Sequence, residues 1–292
     1  PDNGVDEDCD GKDAKQADFD AIAKSLRAKK PAKNRVSEEP PDGGRAVPVK
    51  DEAEGTSAIA QPTNVVFIIV DTLRADHVSA YGYHRPTTPN VDELAHGGVL
   101  FEQARAAGSQ TRFSVPPMLV GKYFTEIART SGKWPAILPG EMLISERFKA
   151  GGYQTAAFHS VSYFRKEFGM DQGFDHYNTD CFQMKRSWRV MATSDCVTDR
   201  VIAHVDSESF DEGRPFFFLT YYGDPHAPYL RHKSVLRYGS TTTDVYDEEI
   251  TFTDRHIGRM LDALKTRGLL ANTAVVFTSD HGEGLDEKLD HG

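Results

Sequence analysis

Long apolar runs are missing from this chain of 292 residues. No stretch approaches the roughly 18 consecutive apolar residues that a membrane-crossing helix needs, so nothing here is expected to span a bilayer. An excess of positive charge is missing too. The net charge is -10, which argues against a nucleic-acid partner, because binding a phosphate backbone takes a basic face. A small anionic ester held by a metal ion and a few local cations remains compatible with that balance. Cysteine is scarce: Cys9, Cys181 and Cys196 have no zinc-type spacing. Cys181 and Cys196 can pair across a short loop in an exported protein or stay as two free thiols, and the sequence leaves both readings open.

Aromatic residues are nearly absent from the first part of the chain. Residues 1–61 hold one Phe and no Tyr or Trp among many Asp, Glu, Lys and Pro. Such a segment cannot bury a core and is expected to be disordered, whereas 62–292 can fold as one large α/β domain. Within the first segment, Asp6, Asp8 and Asp10 alternate before Gly11, which is how oxygen ligands wrap calcium. The twelfth position counted from Asp6 is Ala17 rather than Glu, so this is at most half of an EF-hand loop. It resembles the short Asp-rich calcium repeats of secreted and cell-surface proteins; a solvated acidic tail is the competing reading. Residues 31–61, with Pro31, Pro40, Pro41, Gly43 and Gly44, read as a linker. The chain starts at Pro1 and stops at Gly292 directly after a motif, which suggests a piece of a longer protein, truncated at its C-terminus.

From Asn64 the pattern changes. Asn64–Val70 is a continuous β-branched and aromatic run of the kind buried on both faces of a parallel sheet. Residues 154–159, 215–222 and 273–279 look alike. Between them lie helical patterns at 90–97, 140–151 and 247–264, the last with Ile250, Ile257, Met260, Leu261 and Leu264 on one face. Alternating strands and helices predict a mainly parallel, doubly wound sheet flanked by helices.

In such a sheet, ligands bind beyond the carboxyl ends of the strands. Asp71 follows the first strand and Asp280-His281 follow the last, so both reach the same sheet edge. A carboxylate pair with an imidazole suits zinc or manganese better than calcium, which prefers oxygen alone. Gly282 lets the backbone turn away from the ion. A third element, Gly108–Gly121, is a polar loop feeding a short apolar helix. A hydroxyl at that helix start is either an N-cap or a nucleophile whose oxygen is shared with the metal and the helix-end N–H groups. Asp71, Asp280 and His281 are therefore the candidate metal ligands on strand-end grounds, and the resemblance described next implies Thr111 as the fourth.

These residues resemble a known family. Asn64–Asp71 continuing through Thr72-Leu73-Arg74-Ala75-Asp76-His77, Tyr81-Gly82-Tyr83 and Thr88-Pro89-Asn90-Val91-Asp92 looks like the start of sulfatase-like domains of the alkaline phosphatase superfamily. Phe277-Thr278-Ser279-Asp280-His281-Gly282-Glu283 looks like their second metal motif. The resemblance covers residues 62–292 and implies the alkaline-phosphatase-like fold and a metal-dependent ester hydrolase or transferase.

The departure is at the nucleophile. Sulfatases carry Cys or Ser in a Cys/Ser-x-Pro-x-Arg motif, converted to formylglycine. Here the matching position is Thr111, with Phe113 for Pro and Val115 for Arg. Thr cannot become formylglycine, and Thr111–Met118 is instead similar to the Thr-x-x-Ser-Val-Pro-x-Met stretch of phosphoethanolamine transferases, where Thr attacks phosphorus. A competing alignment makes Ser114 the nucleophile, with Met118 at the Arg position.

Asp224-Pro225-His226-Ala227-Pro228 is similar to the His-x-Pro loop that contacts sulfate or phosphate in the family, which implies a catalytic and substrate-binding His226. His291 resembles the second His of transferase-like members, a substrate or metal contact. Arg74 and His77 are either structural or supporting. The leading expectation is an extracytoplasmic (periplasmic, secreted or cell-surface) enzyme that forms a covalent Thr111 intermediate. The alternative is a non-catalytic calcium-binding cell-surface module on a decayed scaffold.

Overall fold

A computed structural model describes residues 64–181 and 193–285. Asp6, Asp8 and Asp10, the whole of the 1–61 segment, and His291 lie outside the described residues.

Among the described residues, five parallel strands form one sheet in the order β3-β2-β4-β1-β5. They are β1 (Asn64–Val70), β2 (Gln154–His159), β3 (His176–Asn178), β4 (Phe216–Tyr222) and β5 (Thr273–Ser279). The four longer strands fall where the apolar runs predict them. Pro215 stays outside β4 because it has no N–H to give the ladder; its carbonyl instead accepts from the Gln154 N–H at 2.9 Å. The edge strand β3 carries no sequence signal, since His-Tyr-Asn has neither an apolar run nor alternation.

Five α-helices among the described residues flank the sheet: α1 (Pro89–Gly97), α2 (Thr111–Val120), α3 (Ile144–Ala150), α4 (Ser194–Val205) and α5 (Thr242–Thr266). Helix α4 lies outside the predicted helical patterns, although Val197, Val201 and Val205 repeat every four residues and are all buried. Helix α5 is longer than its apolar stripe suggests. It begins at a capping box, in which the Thr241 hydroxyl accepts from the Asp244 N–H at 3.2 Å and Asp244 accepts from the Thr241 N–H at 2.9 Å.

The two faces of the sheet are separate cores, as strand periodicity requires. Val66, Ile68, Val70, Phe216, Phe218 and Tyr222 pack on one side with α4 and α5 residues such as Val201, Ile257 and Met260. Ile69, Phe217, Leu219 and Tyr221 pack on the other with Val115 and Leu119 of α2. Phe216, Phe217 and Phe218 are all fully buried, each contributing roughly 1.5–3 kcal/mol of apolar transfer free energy.

The acids of α5 do not simply face solvent. Asp247, Glu248, Glu249 and Asp254 are buried, and each is paired, because an unpaired buried charge would be costly. Asp247 accepts from His77, Tyr83 and Arg85, each at 2.7 Å. That contact gives His77 a structural role. Glu249 pairs with His232 at 2.6 Å and Glu248 with Arg231 at 2.9 Å. Asp254 accepts from the Asn90 side chain at 2.7 Å and from the Val91 N–H at 3.0 Å, which ties α1 to α5. The helices approach so closely here that a Cβ on Gly258 would stand 2.3 Å from the Asn90 amide oxygen.

Cys181 and Cys196 are joined by a disulfide, so of the two sequence readings the paired one holds.

Candidate metal centre

The site assembles at the carboxyl edge of the sheet. Strand β1 lies between β4 and β5, with Val70 opposite both Tyr222 and Ser279. The residues that follow these three strands therefore emerge side by side. Periodicity then selects the face. Val65, Phe67 and Ile69 point to the α2 side, as do Phe217, Leu219 and Tyr221, and in β5 Val275 and Phe277 point to the opposite side. Continued by one step, the alternation turns Asp71, Tyr221 and Asp280 toward α2, whose first residue is Thr111.

One ligand atom each from Asp71, Asp280 and His281 lies within 4.8 Å of the others, and all three residues are buried. The Thr111 Oγ1 is 3.2 Å from His281 Nε2. On its other side, His281 Nδ1 is 2.8 Å from the Gly282 carbonyl. A ring nitrogen meeting a carbonyl must donate, so Nδ1 carries a proton and Nε2 is the nitrogen that faces the cluster. Nε2 stands 3.6 Å from Asp71 Oδ1 and 3.5 Å from Asp280 Oδ2.

Asp280 is held on three sides. Its Oδ1 accepts from the N–H groups of Thr72 (3.1 Å) and His281 (2.8 Å), and its Oδ2 accepts from the Tyr221 hydroxyl at 2.8 Å. Thr72 reaches this position with φ 54, the left-handed region that β-branched residues avoid. Its N–H bond to Asp280 and its carbonyl's 2.7 Å bond from the Tyr246 hydroxyl hold it there. Arg74 links the two loops by donating to the Glu283 carbonyl at 3.0 Å while also pairing with Asp76.

Asp71 is the least satisfied member. Its Oδ1 is buried and accepts no hydrogen bond. Burial first, and then the neighbouring Asp280 carboxylate, push its carboxyl well above the usual range. Two neighbouring buried carboxylates, one with an oxygen that accepts no hydrogen bond among the described residues, call for more positive charge than a single imidazole can give. A divalent cation bound by Asp71, Asp280, His281 Nε2 and Thr111 Oγ1 would supply it, so the residues present fit a metal ion.

The start of α2 contributes more than a hydroxyl. The Phe113 and Ser114 N–H groups bond back to the Gln110 carbonyl at 2.8 and 3.1 Å. Those of Thr111 and Arg112 find no acceptor among the described residues, the usual state of first-turn donors that can hold an anion. Ser114 is fully buried and its hydroxyl donates to the Gln110 carbonyl at 2.9 Å. That bond turns Ser114 into the helix and away from the cluster. His226 is on the loop after β4, as expected, with its Nδ1 2.6 Å from the Ala227 carbonyl. The loop is tied to the metal motif through the Ala227 N–H, which donates to Glu283 at 3.2 Å.

Sequence reasoning missed Tyr221. It is fully buried, and its hydroxyl bonds Asp280. The available signal was strand parity: Tyr221 and Tyr222 end the same strand, and only one can face α2.

Comparison with known proteins gives the family and the fold. The family model described as Sulfatase matches residues 63–292. Arylsulfatase A of Bos taurus is 24% identical over 274 residues, covering 77% of this chain and 53% of that protein. The chain thus spans about half the length of the curated relatives it matches. Among solved structures, a protein in the alkaline phosphatase superfamily from Vibrio parahaemolyticus superposes with TM-score 0.61 at 21% identity, over 78% of this chain and 57% of that one. The C-terminal periplasmic domain of EcEptC from Escherichia coli, in complex with Zn, superposes with TM-score 0.57 at 17% identity, over 77% and 65%. At these identities the structural likeness establishes a shared fold.

Proposed function

The chain belongs to the sulfatase family, and from that premise we propose that it is the nucleophile-bearing part of a metal-dependent hydrolase or transferase acting on a phosphate or sulfate ester through Thr111. The observation that carries this reading is the 3.2 Å approach of Thr111 Oγ1 to His281 Nε2, beside a buried Asp71 oxygen that accepts no hydrogen bond among the described residues. A hydroxyl serving only as a helix cap has no reason to sit against a ligand cluster.

When bound, a divalent ion lowers the pKa of the Thr111 hydroxyl and offsets charge on the ester oxygens. Zinc or manganese suits the mixed carboxylate and imidazole set better than calcium. The protein's own groups do the rest. The N–H groups of Thr111 and Arg112 receive a non-bridging ester oxygen as charge grows on it. His226, on the loop tied to Glu283, contacts the same group from the β4 side. Thr111 Oγ1 attacks phosphorus or sulfur, the bond to the alcohol oxygen breaks, and the group stays on Thr111 until water or an acceptor alcohol takes it. Tyr221 and Thr72 keep the Asp280 carboxylate in place throughout.

The Cys181–Cys196 disulfide supports an extracytoplasmic location, since such bonds persist in oxidising compartments. Among the described residues no helix is long and apolar enough to cross a membrane. The competing reading, a non-catalytic calcium-binding module, leaves the buried Asp71 oxygen without a purpose.

The test is turnover of p-nitrophenyl phosphate, p-nitrophenyl sulfate and a bis-p-nitrophenyl phosphodiester with zinc or manganese added, together with the intact mass of the protein after substrate. Added mass located on Thr111 supports the reading. Absence of both metal uptake and turnover would sink it.

A further inference from the structure

Beside the start of α2 lies a cavity of about 440 Å³, whose walls are basic in a protein of net charge -10. Arg112, Arg129 and Lys133 line it together with the rings of Phe113 and Phe124, and among the described residues no acidic one does. None of the three cations forms an ion pair with a carboxylate among the described residues. Unpaired cations grouped around one concavity repel one another, and they raise the local concentration of anions.

The arrangement is built rather than incidental. The Thr130 N–H donates to the Ala136 carbonyl at 2.9 Å, and the Ala136 N–H to the Thr130 hydroxyl at 2.8 Å. These bonds close a turn whose tip presents Lys133. The Arg112 guanidinium donates to the Lys133 carbonyl at 3.0 Å and so fastens that turn to the helix start. Each arginine lies on a ring face: Arg112 is 4.7 Å from the Phe113 centroid and Arg129 is 4.1 Å from that of Phe124. Stacking fixes the planes, and Arg129 Nη1 donates to the Phe124 and Ile127 carbonyls at 2.9 and 3.0 Å, so Arg129 offers its remaining nitrogens as donors. The Arg112 Nε is buried with no acceptor among the described residues, a desolvated donor on a charged group.

The position relative to the nucleophile gives the cavity a meaning. Arg112 and Phe113 follow Thr111 within the same helical turn, about 5.4 Å of rise. The cavity therefore adjoins the helix start that carries Thr111. Arg129 and Lys133 come from a loop that supplies no member of the Asp71–Asp280–His281 cluster, so the cavity is an addition to the metal centre and not a part of it.

Building on the reading of Thr111 as the nucleophile, we infer that this cavity is a second anion subsite, which selects esters whose alcohol part carries a further sulfate, phosphate or carboxylate group. The rings of Phe113 and Phe124 pack the carbon skeleton that joins the two anions, and the arginine edges with Lys133 take the second one.

The test is a calorimetric titration of the full chain carrying Thr111→Ala, which prevents turnover. The ligands are butyl sulfate and butane-1,4-diyl disulfate, with the corresponding phosphates in parallel and 4-(sulfooxy)butanoate to tell a carboxylate from a sulfate. The dianionic ester should bind about tenfold tighter or more than the mono-ester, in line with charge-assisted hydrogen bonds. Arg129→Gln with Lys133→Gln should bring that ratio to about unity. Lys133→Gln alone changes only an exposed tip, so it tests the idea without risk to the fold; it should lower the ratio about threefold. Equal affinity for the mono- and dianionic ligands, or a ratio unchanged in the double variant, overturns the subsite. Dianion binding that survives Asp280→Asn but is lost in the double variant supports the subsite while counting against the metal-centre reading.

Discussion

The Tyr221 hydroxyl donates to Asp280 Oδ2 at 2.8 Å from inside the sheet, and both residues are fully buried. This bond links the central core to a carboxylate of the candidate metal centre. Burial first, and then the Asp280 and Asp71 charges, hold the Tyr221 phenol well above its ordinary pKa, so it remains a donor at any working pH. Tyr221→Phe should therefore weaken zinc or manganese binding about 10–100-fold, the usual cost of removing a group that orients a ligand. Metal titration monitored by calorimetry would show it, and unchanged affinity would leave Tyr221 as core packing alone.

The nucleophile assignment separates two neighbouring hydroxyls. Thr111→Ala should lower turnover by about 10³-fold or more while leaving the melting temperature nearly unchanged. Ser114→Ala should retain most activity, because its hydroxyl is committed to the Gln110 carbonyl. Steady-state kinetics on both variants decides; the reverse pattern would move the nucleophile to Ser114.

Asp71 should behave oppositely with and without metal. In metal-free protein its buried carboxylate sits beside Asp280 with an oxygen that accepts nothing. Asp71→Asn removes that charge and should raise the metal-free melting temperature by about 2–4 °C, on the scale of 1 kcal/mol. It should also abolish the increase in melting temperature that added zinc or manganese produces in the parent. Thermal melts with a chelator and with excess metal test both halves.

His159 ends β2 on the α2 face, fully buried against Phe164 and Tyr177. Burial pulls its pKa down to about 4 from 6.5. Between those values the unfolded chain binds a proton that the folded chain does not. The stability it contributes is thus fully present above pH 6.5 and is lost as pH falls toward 4. At pH 5 the loss is about 2 kcal/mol. His159→Phe should flatten this dependence, so its melting temperature should fall less than the parent's between about pH 7 and pH 5. Parallel curves for the two proteins would contradict the assignment.

Much of the architecture was legible in the chain. Continuous apolar runs marked the four longer strands because strands buried on both faces have no polar side to show. Placing Asp71 and Asp280-His281 at one edge needed only strand ends and a parallel sheet. The lack of long apolar runs and the acidic balance argued, from composition alone, against a membrane span and a nucleic-acid partner.

What the sequence could not decide depended on strand order and parity. Both Tyr221 and Tyr222 end β4, and only the register of β1 between β4 and β5 shows which of them meets Asp280. Thr111 and Ser114 are one helical turn apart, and only the approach of α2 to the sheet shows that Thr111 meets His281 while Ser114 turns inward. The partners of the α5 acids are not written in their spacing, because His77, Arg85, His232 and Asn90 arrive from distant segments to pair with them. The physical reason is the same in each case. Local spacing determines which side chains share a face, whereas the partner on the other side of that face comes from a segment that only folding brings near.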